Sequence, residues 1–276
     1  ERIALNPMQQ SYLRGREAQY GRFSKACFVY EYAPTKVEHA RLVEALQRLP
    51  QLHSLLGAAL DGETLVLGAG RLELQEAPLW AEGIEAQAEA LFQQFTWSEQ
   101  RLTQVTLVTG SHAYVVLCIN GILADGLSHD RILETLERCC EGEHLEPVEC
   151  SQAFLDYMET LRSEQHSPEQ EQALEEAMRQ FPPAAELAIA EEFYTPEPLE
   201  TGVRRQPIEE SLWQAFQQKA AGQGVTAFPV LLTLVGKAIG QYTDQSNVVL
   251  NVPRTARMVP LDGIFQAVGM YSDFSL

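Results

Sequence analysis

The sequence predicts an α+β fold, and three observations carry that expectation. Helix-like and strand-like apolar periodicities follow one another irregularly rather than as a strict βαβ alternation, an order that suits a two-layer packing of helices on a sheet. Two strand pairs are joined by short turns, at Asp61-Gly62 and around Gly110-Ser111, as neighbouring strands often are. A polar stretch, 120–128, lies between an apolar run and a helix-like one. Such strand-to-helix junctions are where chemistry is commonly placed.

Taken in order, Asn6 followed by Pro7 is a capping residue with proline at the first helical position, so a helix starts there. Residues 23–32 alternate aromatic and β-branched side chains and read as a strand. Pro34-Thr35 opens a helix over 36–49, with Val37, Ala40, Leu42, Val43 and Leu46 as its apolar stripe. Short strands are expected at 53–60, 64–68 and 72–75, a helix at 84–95, and a strand pair at 102–109 and 113–120. A helix over 127–140 follows the polar stretch, then helices at 151–162 and 168–181, ended by Pro182-Pro183. Residues 191–206 are rich in Glu, Pro and Thr and mark a linker. Beyond it come a strand at 203–208, helices at 209–221 and 227–242, a buried strand at 247–252 and a last strand at the end of the chain. The expected organisation is therefore residues 1–185 as a first lobe, 186–201 as linker and 202–276 as the first part of a second lobe.

Composition narrows the function. Thirty-eight acidic against 20 basic residues give a net charge of −18, which disfavours nucleic acid and anionic membrane as partners, since both need a basic face. The apolar run 226–239 is too short and too interrupted to span a bilayer. With no leader-like opening and no initial Met, the chain reads as an internal segment of a longer, cytoplasmic protein. Its five cysteines (Cys27, Cys118, Cys139, Cys140, Cys150) show no paired metal-ligand spacing and read as reduced structural thiols, so no metal is expected.

The stretch Asn120-Gly121-Ile122-Leu123-Ala124-Asp125-Gly126-Leu127-Ser128 resembles the Asp-x-x-x-x-Asp-x-x-Ser signature of heterocyclization domains of nonribosomal peptide synthetases. These form a branch of the condensation-domain superfamily, whose ordinary members carry His-His-x-x-x-Asp-Gly. Two further stretches support the resemblance. Leu5-Asn6-Pro7-Met8-Gln9-Gln10-Ser11-Tyr12-Leu13-Arg14-Gly15-Arg16 is similar to the family's opening, Leu-Thr-Pro-x-Gln-x-Ala-Tyr-x-x-Gly-Arg. Asn251-Val252-Pro253-Arg254 and Val268-Gly269-Met270-Tyr271-Ser272 resemble its Asn-x-x-Arg and Val-Gly-Asp-Phe-Thr-Ser block.

The resemblance implies a chloramphenicol-acetyltransferase-like, two-lobed condensation-domain fold, with the second lobe incomplete in this chain. It implies no directly bound cofactor. Substrates would arrive on the phosphopantetheine of peptidyl or aryl carrier proteins, and neighbouring synthetase domains would be the other partners. A working heterocyclization domain joins an acyl thioester to Cys, Ser or Thr and closes a thiazoline or oxazoline, a step of siderophore or peptide natural-product biosynthesis.

The site residues implied are Asn120, Asp125, Ser128 and Ser272. Asp125 is expected to be structural, ion-paired with Arg254 or Arg16, because a buried pair of this kind fixes loop geometry. Ser128 either belongs to the signature or caps the following helix. Two positions are degenerate. Gly121 stands where the second histidine would act as base, and Met270 stands where the family has an acid suited to proton transfer. Asn120, an amide, can orient a carbonyl but cannot take a proton at neutral pH. His129 and His112 lie nearby in sequence, but on the expected helix His129 would face away from Gly121.

Two functions remain in view. One is a catalytically impaired domain, a pseudo-enzyme kept as scaffold or carrier-protein docking unit. The other is an enzyme working by positioning, since holding two tethered reactants together can supply several kcal/mol without a base and a thiol nucleophile needs little activation. A free-standing acetyltransferase is disfavoured because it needs the histidine that Gly121 replaces.

Overall fold

The computed structural model of the chain describes residues 1–15, 25–32, 37–163, 167–183, 185–187 and 206–275. Packing divides it into two units, Glu1–Gln165 with Arg254–Asp273, and His166–Pro253 with Phe274–Leu276. The expected linker 186–201 falls, from residue 188 onward, outside the described residues.

The first unit is built on a four-stranded sheet in the order β2 (Lys25–Tyr32), β7 (Ala113–Asn120), β6 (Thr103–Thr109), β5 (Leu72–Pro78). β2 and β6 run antiparallel to β7, whereas β5 runs parallel to β6. A parallel neighbour cannot be reached by a hairpin. Here α3 (Ile84–Gln94) makes the crossover, so one βαβ unit sits inside the otherwise antiparallel sheet.

β7 explains the layering. Its side chains alternate across the sheet: Val115, Leu117 and Ile119 enter the main core, while Val116 and Cys118 enter a second cluster with Ala88 and Phe95. The main core is closed by Leu42, Leu46 and Leu49 of α2 (His39–Leu52), Ile132 and Leu136 of α4 (Gly126–Cys140), and Phe154 and Met158 of α5 (Pro147–Ser163). Helices therefore cover both faces, three layers where the periodicity suggested two. The difference comes from α3, whose short apolar stripe does not reveal which face it covers. A smaller antiparallel sheet, β1 (Arg2–Ala4), β4 (Thr64–Val66) and β3 (Ala59–Asp61), lies beside α1 (Pro7–Gly15) in the sequence order. Gly62, at φ 58°, makes the β3–β4 turn read from Asp61-Gly62.

Expectations shift at four places. The run 53–60 is not one strand: Ser54–Gly57 forms a 3₁₀ turn that buries Leu55 and Leu56 before β3 begins. Short apolar runs do not distinguish the two conformations. Helix α2 runs past Pro50 to Leu52, because the following turn still closes through His53 N–H donating to Leu49 O at 2.8 Å. Residues 247–251 form no strand. The ladder starts only at β8 (Val252–Thr255), paired with β9 (Ser272–Ser275). Of the strand expected at 203–208, residues 203–205 lie outside the described residues and 206–208 are irregular.

The second unit contains α6 (Pro168–Arg179), α7 (Glu210–Gly222) and α8 (Ala227–Thr243). Ser167 caps α6 in a reciprocal capping box with Gln170. No single helix among the described residues is long and apolar enough to cross a membrane; α7 and α8 meet that composition only as a pair bent by 101°.

Candidate functional site

The polar stretch turns where β7 ends. Asn120 is buried, and its Oδ1 accepts the Ile122 N–H at 3.0 Å. Its own carbonyl accepts from Leu123 N–H at 3.1 Å. The amide therefore builds the turn, as an Asx side chain does when it bonds two residues on. Gly121, next to it, is partly exposed and brings no side chain.

Asp125 closes the turn and starts α4. It is the helix cap, its Oδ1 accepting from Ser128 N–H at 2.9 Å. The helix N-terminus favours a carboxylate at that place. The capping role read for Ser128 thus belongs to Asp125. Ser128 is fully buried, its Oγ lying 2.7 Å from Asp125 Oδ1 and 3.0 Å from Gly269 O. The same oxygen accepts from Gly269 N–H at 3.1 Å.

The cation behind this cluster is Arg257, not Arg254. Its Nε donates to Asp125 Oδ2 at 3.1 Å, and its Nη2 donates to Asp125 Oδ1 at 2.9 Å and to Ser128 Oγ at 3.1 Å. Nη1 donates to Ile264 O and, at 2.8 Å, to Ala267 O. All five guanidinium N–H groups are thereby used, and the guanidinium carbon sits 3.9 Å from the centre of the Tyr271 ring. The planar fork is what permits bidentate capture of a carboxylate together with two carbonyls. The expected Asp125–Arg254 pair is corrected accordingly. Arg254 lies in β8, partly solvated, and pairs across to Asp273 in β9 at 2.7 Å. Three residues further on, the chain has left the ladder and turned inward, which buries Arg257. The alternative partner, Arg16, lies outside the described residues.

The irregular segment 267–271, which leads into β9, forms the opposite wall. Asp125 N–H donates to Gly269 O at 2.9 Å. Gly269 is required there, because a Cβ would meet the Phe154 ring at 2.2 Å and the Tyr271 ring at 2.7 Å. Tyr271 is packed edge-on to Phe154 at 5.4 Å and tilted on Tyr157 at 4.8 Å. Burial, offset in part by the Arg257 charge, pushes its phenol above the ordinary range. Met270 is buried at 2 % exposure, so position 270 offers an enclosed thioether. Ser272 opens β9, and among the described residues no hydrogen bond joins it to the Asp125 cluster.

Neither nearby histidine is drawn into this cluster. His129 stacks flat on Phe28, with centroids 4.7 Å apart, and its ring nitrogens face Gly126 O and the Asp130 carboxylate. His112 pairs with Glu31 at 2.7 Å.

The frame of Asp125, Ser128, Arg257 and Gly269 is therefore closely hydrogen-bonded. Both Asp125 oxygens are engaged by the guanidinium, and Asn120 is committed to its turn. Arg257 was missed from sequence because two arginines three positions apart carry the same chemistry. The signal that separates them is the neighbourhood of Arg257: Ala256, Met258 and Val259 are mostly apolar, whereas Arg254 sits in a strand facing Asp273.

This fold and this junction define the class. The chain belongs to the condensation-domain family, whose family model matches residues 4–273. It is similar in structure to the condensation domain of the Monacolin K polyketide synthase MokA, at 15% identity and a TM-score of 0.75, over 99% of this chain and 66% of that one. It is also similar to the EpoB nonribosomal peptide synthetase cyclization-docking bidomain from Sorangium cellulosum, at 21% identity and a TM-score of 0.75, over 99% and 58%. A third likeness is to a protein characterised for condensation-domain-mediated chain release from the enacyloxin polyketide synthase, at 19% identity and a TM-score of 0.70, over 99% and 56%. At these identities the likeness is one of fold. The chain spans less than two thirds of the length of each of these structures.

Proposed function

We propose that this chain is a heterocyclization-like condensation domain of a nonribosomal peptide synthetase or hybrid assembly line, catalytically impaired and kept as a scaffold or docking unit for carrier proteins. One observation carries the reading. The frame that holds the site loop is complete, from Asp125 and Ser128 to Arg257 and Gly269, while the two positions suited to moving protons hold Gly121 and buried Met270. A thioether neither donates nor accepts a proton at neutral pH, and a glycine contributes only backbone. Asn120 adds no base, since its amide has no basic nitrogen. Substrates in this reading are acyl and aminoacyl groups on the phosphopantetheine arms of carrier proteins, and no cofactor binds the domain itself.

The intact frame also favours a second reading, an active condensation or cyclisation domain that joins a carrier-bound acyl thioester to carrier-bound Cys, Ser or Thr. Rigid placement of two tethered reactants lowers the barrier without a base. In that case Ser272 would orient the reactants, while Asn120, Ser128 and Asp125 would hold the loop.

Loading the cognate carrier proteins and following amide or thiazoline by intact-protein mass spectrometry separates the two. Docking of the carriers with no product from any pair is expected for the scaffold. Turnover by the unaltered chain, abolished by Asp125→Ala and raised by Asn120→Asp, would overturn it in favour of the enzyme.

A further inference from the structure

The opening motif of the chain has a structural duty that its resemblance does not explain. Asn6 and Gln9 form a reciprocal cap at the start of α1. Asn6 Oδ1 accepts from Gln9 N–H at 2.8 Å, and Gln9 Oε1 accepts from Asn6 N–H at 2.9 Å. Capping uses only the oxygen of each carboxamide. Both nitrogens remain, and both are spent far away in sequence. Gln9 Nε2 donates to Ile122 O at 2.6 Å, and Asn6 Nδ2 donates to Met270 O at 3.0 Å. Gln9 is 0 % and Asn6 5 % exposed, so water does not compete for either bond. Ile122 follows Gly121 in the site loop, and Met270 follows Gly269 in the facing segment. These are the two walls that Asp125 N–H and Gly269 O already join on the other side.

We propose that Asn6 and Gln9 are positioning residues: a two-armed strut, built from the spare amide hydrogens of the α1 cap, that fixes the Gly121 loop and the Met270 segment relative to each other. A helix needs only an oxygen at its cap, which Asp and Glu supply as well as Asn and Gln do. The amide at both positions is required by the carbonyls of Ile122 and Met270. Each arm holds a different wall, so each can be cut alone. That this frame serves carrier-tethered substrates rests on the function proposed above; the strut itself does not.

The test uses Gln9→Glu and Asn6→Asp. Each keeps the capping oxygen and, at a pH where the new carboxyl is ionised, removes the donor to the distant carbonyl. Backbone resonances are read on the whole chain, alongside amide exchange and thermal unfolding. Gln9→Glu is expected to shift the Ile122 carbonyl and Leu123 amide and to speed exchange of the Leu123 amide about fivefold or more, the equivalent of one net hydrogen bond. The 269–271 signals should move little. Asn6→Asp should show the reverse, moving the Met270 carbonyl and the Tyr271 amide. Gln9→Ala and Asn6→Ala, which break the cap too, should add disorder of α1. Should one of the acidic variants not fold, the other still tests its own arm. Unmoved loop and segment resonances in the cap-preserving variants would overturn the strut and leave a plain helix cap. Resonances that shift as expected, with carrier-protein capture unchanged, would uphold the strut and count against its serving the carrier docking proposed above.

Discussion

Two arginines three positions apart in this chain each pair with an aspartate, and the two pairs differ in almost everything except chemistry. Arg254 and Asp273 meet at 2.7 Å on a two-stranded ladder, with side chains 60 % and 51 % exposed. Arg257 and Asp125 meet at 2.9 Å with side chains 0 % and 3 % exposed. Water and salt screen the first pair and leave it worth at most about 1 kcal/mol. The second pair has lost its water, and it holds together because every N–H of the guanidinium finds an oxygen. A buried pair of this sort is poor evidence for net stability, but either half left alone is costly. The difference teaches that the inner pair sets the shape of the site loop, while the outer one is a surface detail of the same segment.

The sharpest way to break this comparison is to truncate each cation. Arg257→Ala should cost roughly 3–5 kcal/mol in denaturant unfolding, since it strands a buried carboxylate. Arg254→Ala should cost under about 1 kcal/mol; equal costs would refute the contrast. Asp125→Asn keeps an oxygen for the Ser128 amide but leaves the guanidinium unmatched. Its cost should be roughly 2–3 kcal/mol by the same measurement, of the order of a charged hydrogen bond or more. Gly269→Ala tests the packing around the inner pair. The added methyl runs into the rings of Phe154 and Tyr271, and a loss of about 1–3 kcal/mol is expected. Gly126→Ala, where nothing lies within 4 Å, should be close to neutral. High salt should shrink the small Arg254 effect and leave the Arg257 effect nearly intact, because buried charges are poorly screened.

The smallest effect concerns pH. The Tyr271 phenol beside Arg257 is held above its ordinary value of 10.0, chiefly by burial. A group raised on folding contributes stability that is fully present below the unfolded value and is lost as pH rises toward the folded one. Unfolding free energy should therefore fall on going from pH 9 to 11, with Tyr30 and Tyr32, also raised by burial, adding to the slope. Tyr271→Phe should flatten part of that fall. It should be nearly neutral at pH 7, because the Tyr271 hydroxyl has no hydrogen-bond partner among the described residues. A steeper alkaline loss in this variant would contradict the assignment.

Much of this was legible in the residues themselves. The apolar run within 113–120 and the helix-like stretch after it placed β7 and α4 within one residue of their observed ends. The structural role of Asp125 followed from the resemblance, which implies an arginine partner, whereas the helix cap it makes was expected of Ser128. What was not legible depends on long-range closure. The third layer depends on which sheet face α3 covers, and short helices carry no such mark. The identity of the arginine depends on where the chain leaves the β8–β9 ladder. The 3₁₀ turn at Ser54–Gly57 and the irregular 247–251 are cases where apolar content matched a strand but no neighbouring edge was there to receive it. Asn6 with Pro7 announced a helix start. Nothing local announced that the spare hydrogens of Asn6 and Gln9 serve carbonyls 264 and 113 residues away.

The first unit is discontinuous: Glu1–Gln165 is finished by Arg254–Asp273, with the second unit threaded between. On a ribosome, the carboxylate of Asp125 thus emerges long before the guanidinium that will neutralise it, 132 positions later. Until then the nascent first unit carries an unmatched charge at the head of α4 and an open slot where Val268 and Tyr271 will pack. Closing so wide a chain loop carries an entropic cost, and the first unit is complete only once the closing segment Arg254–Asp273 has been made.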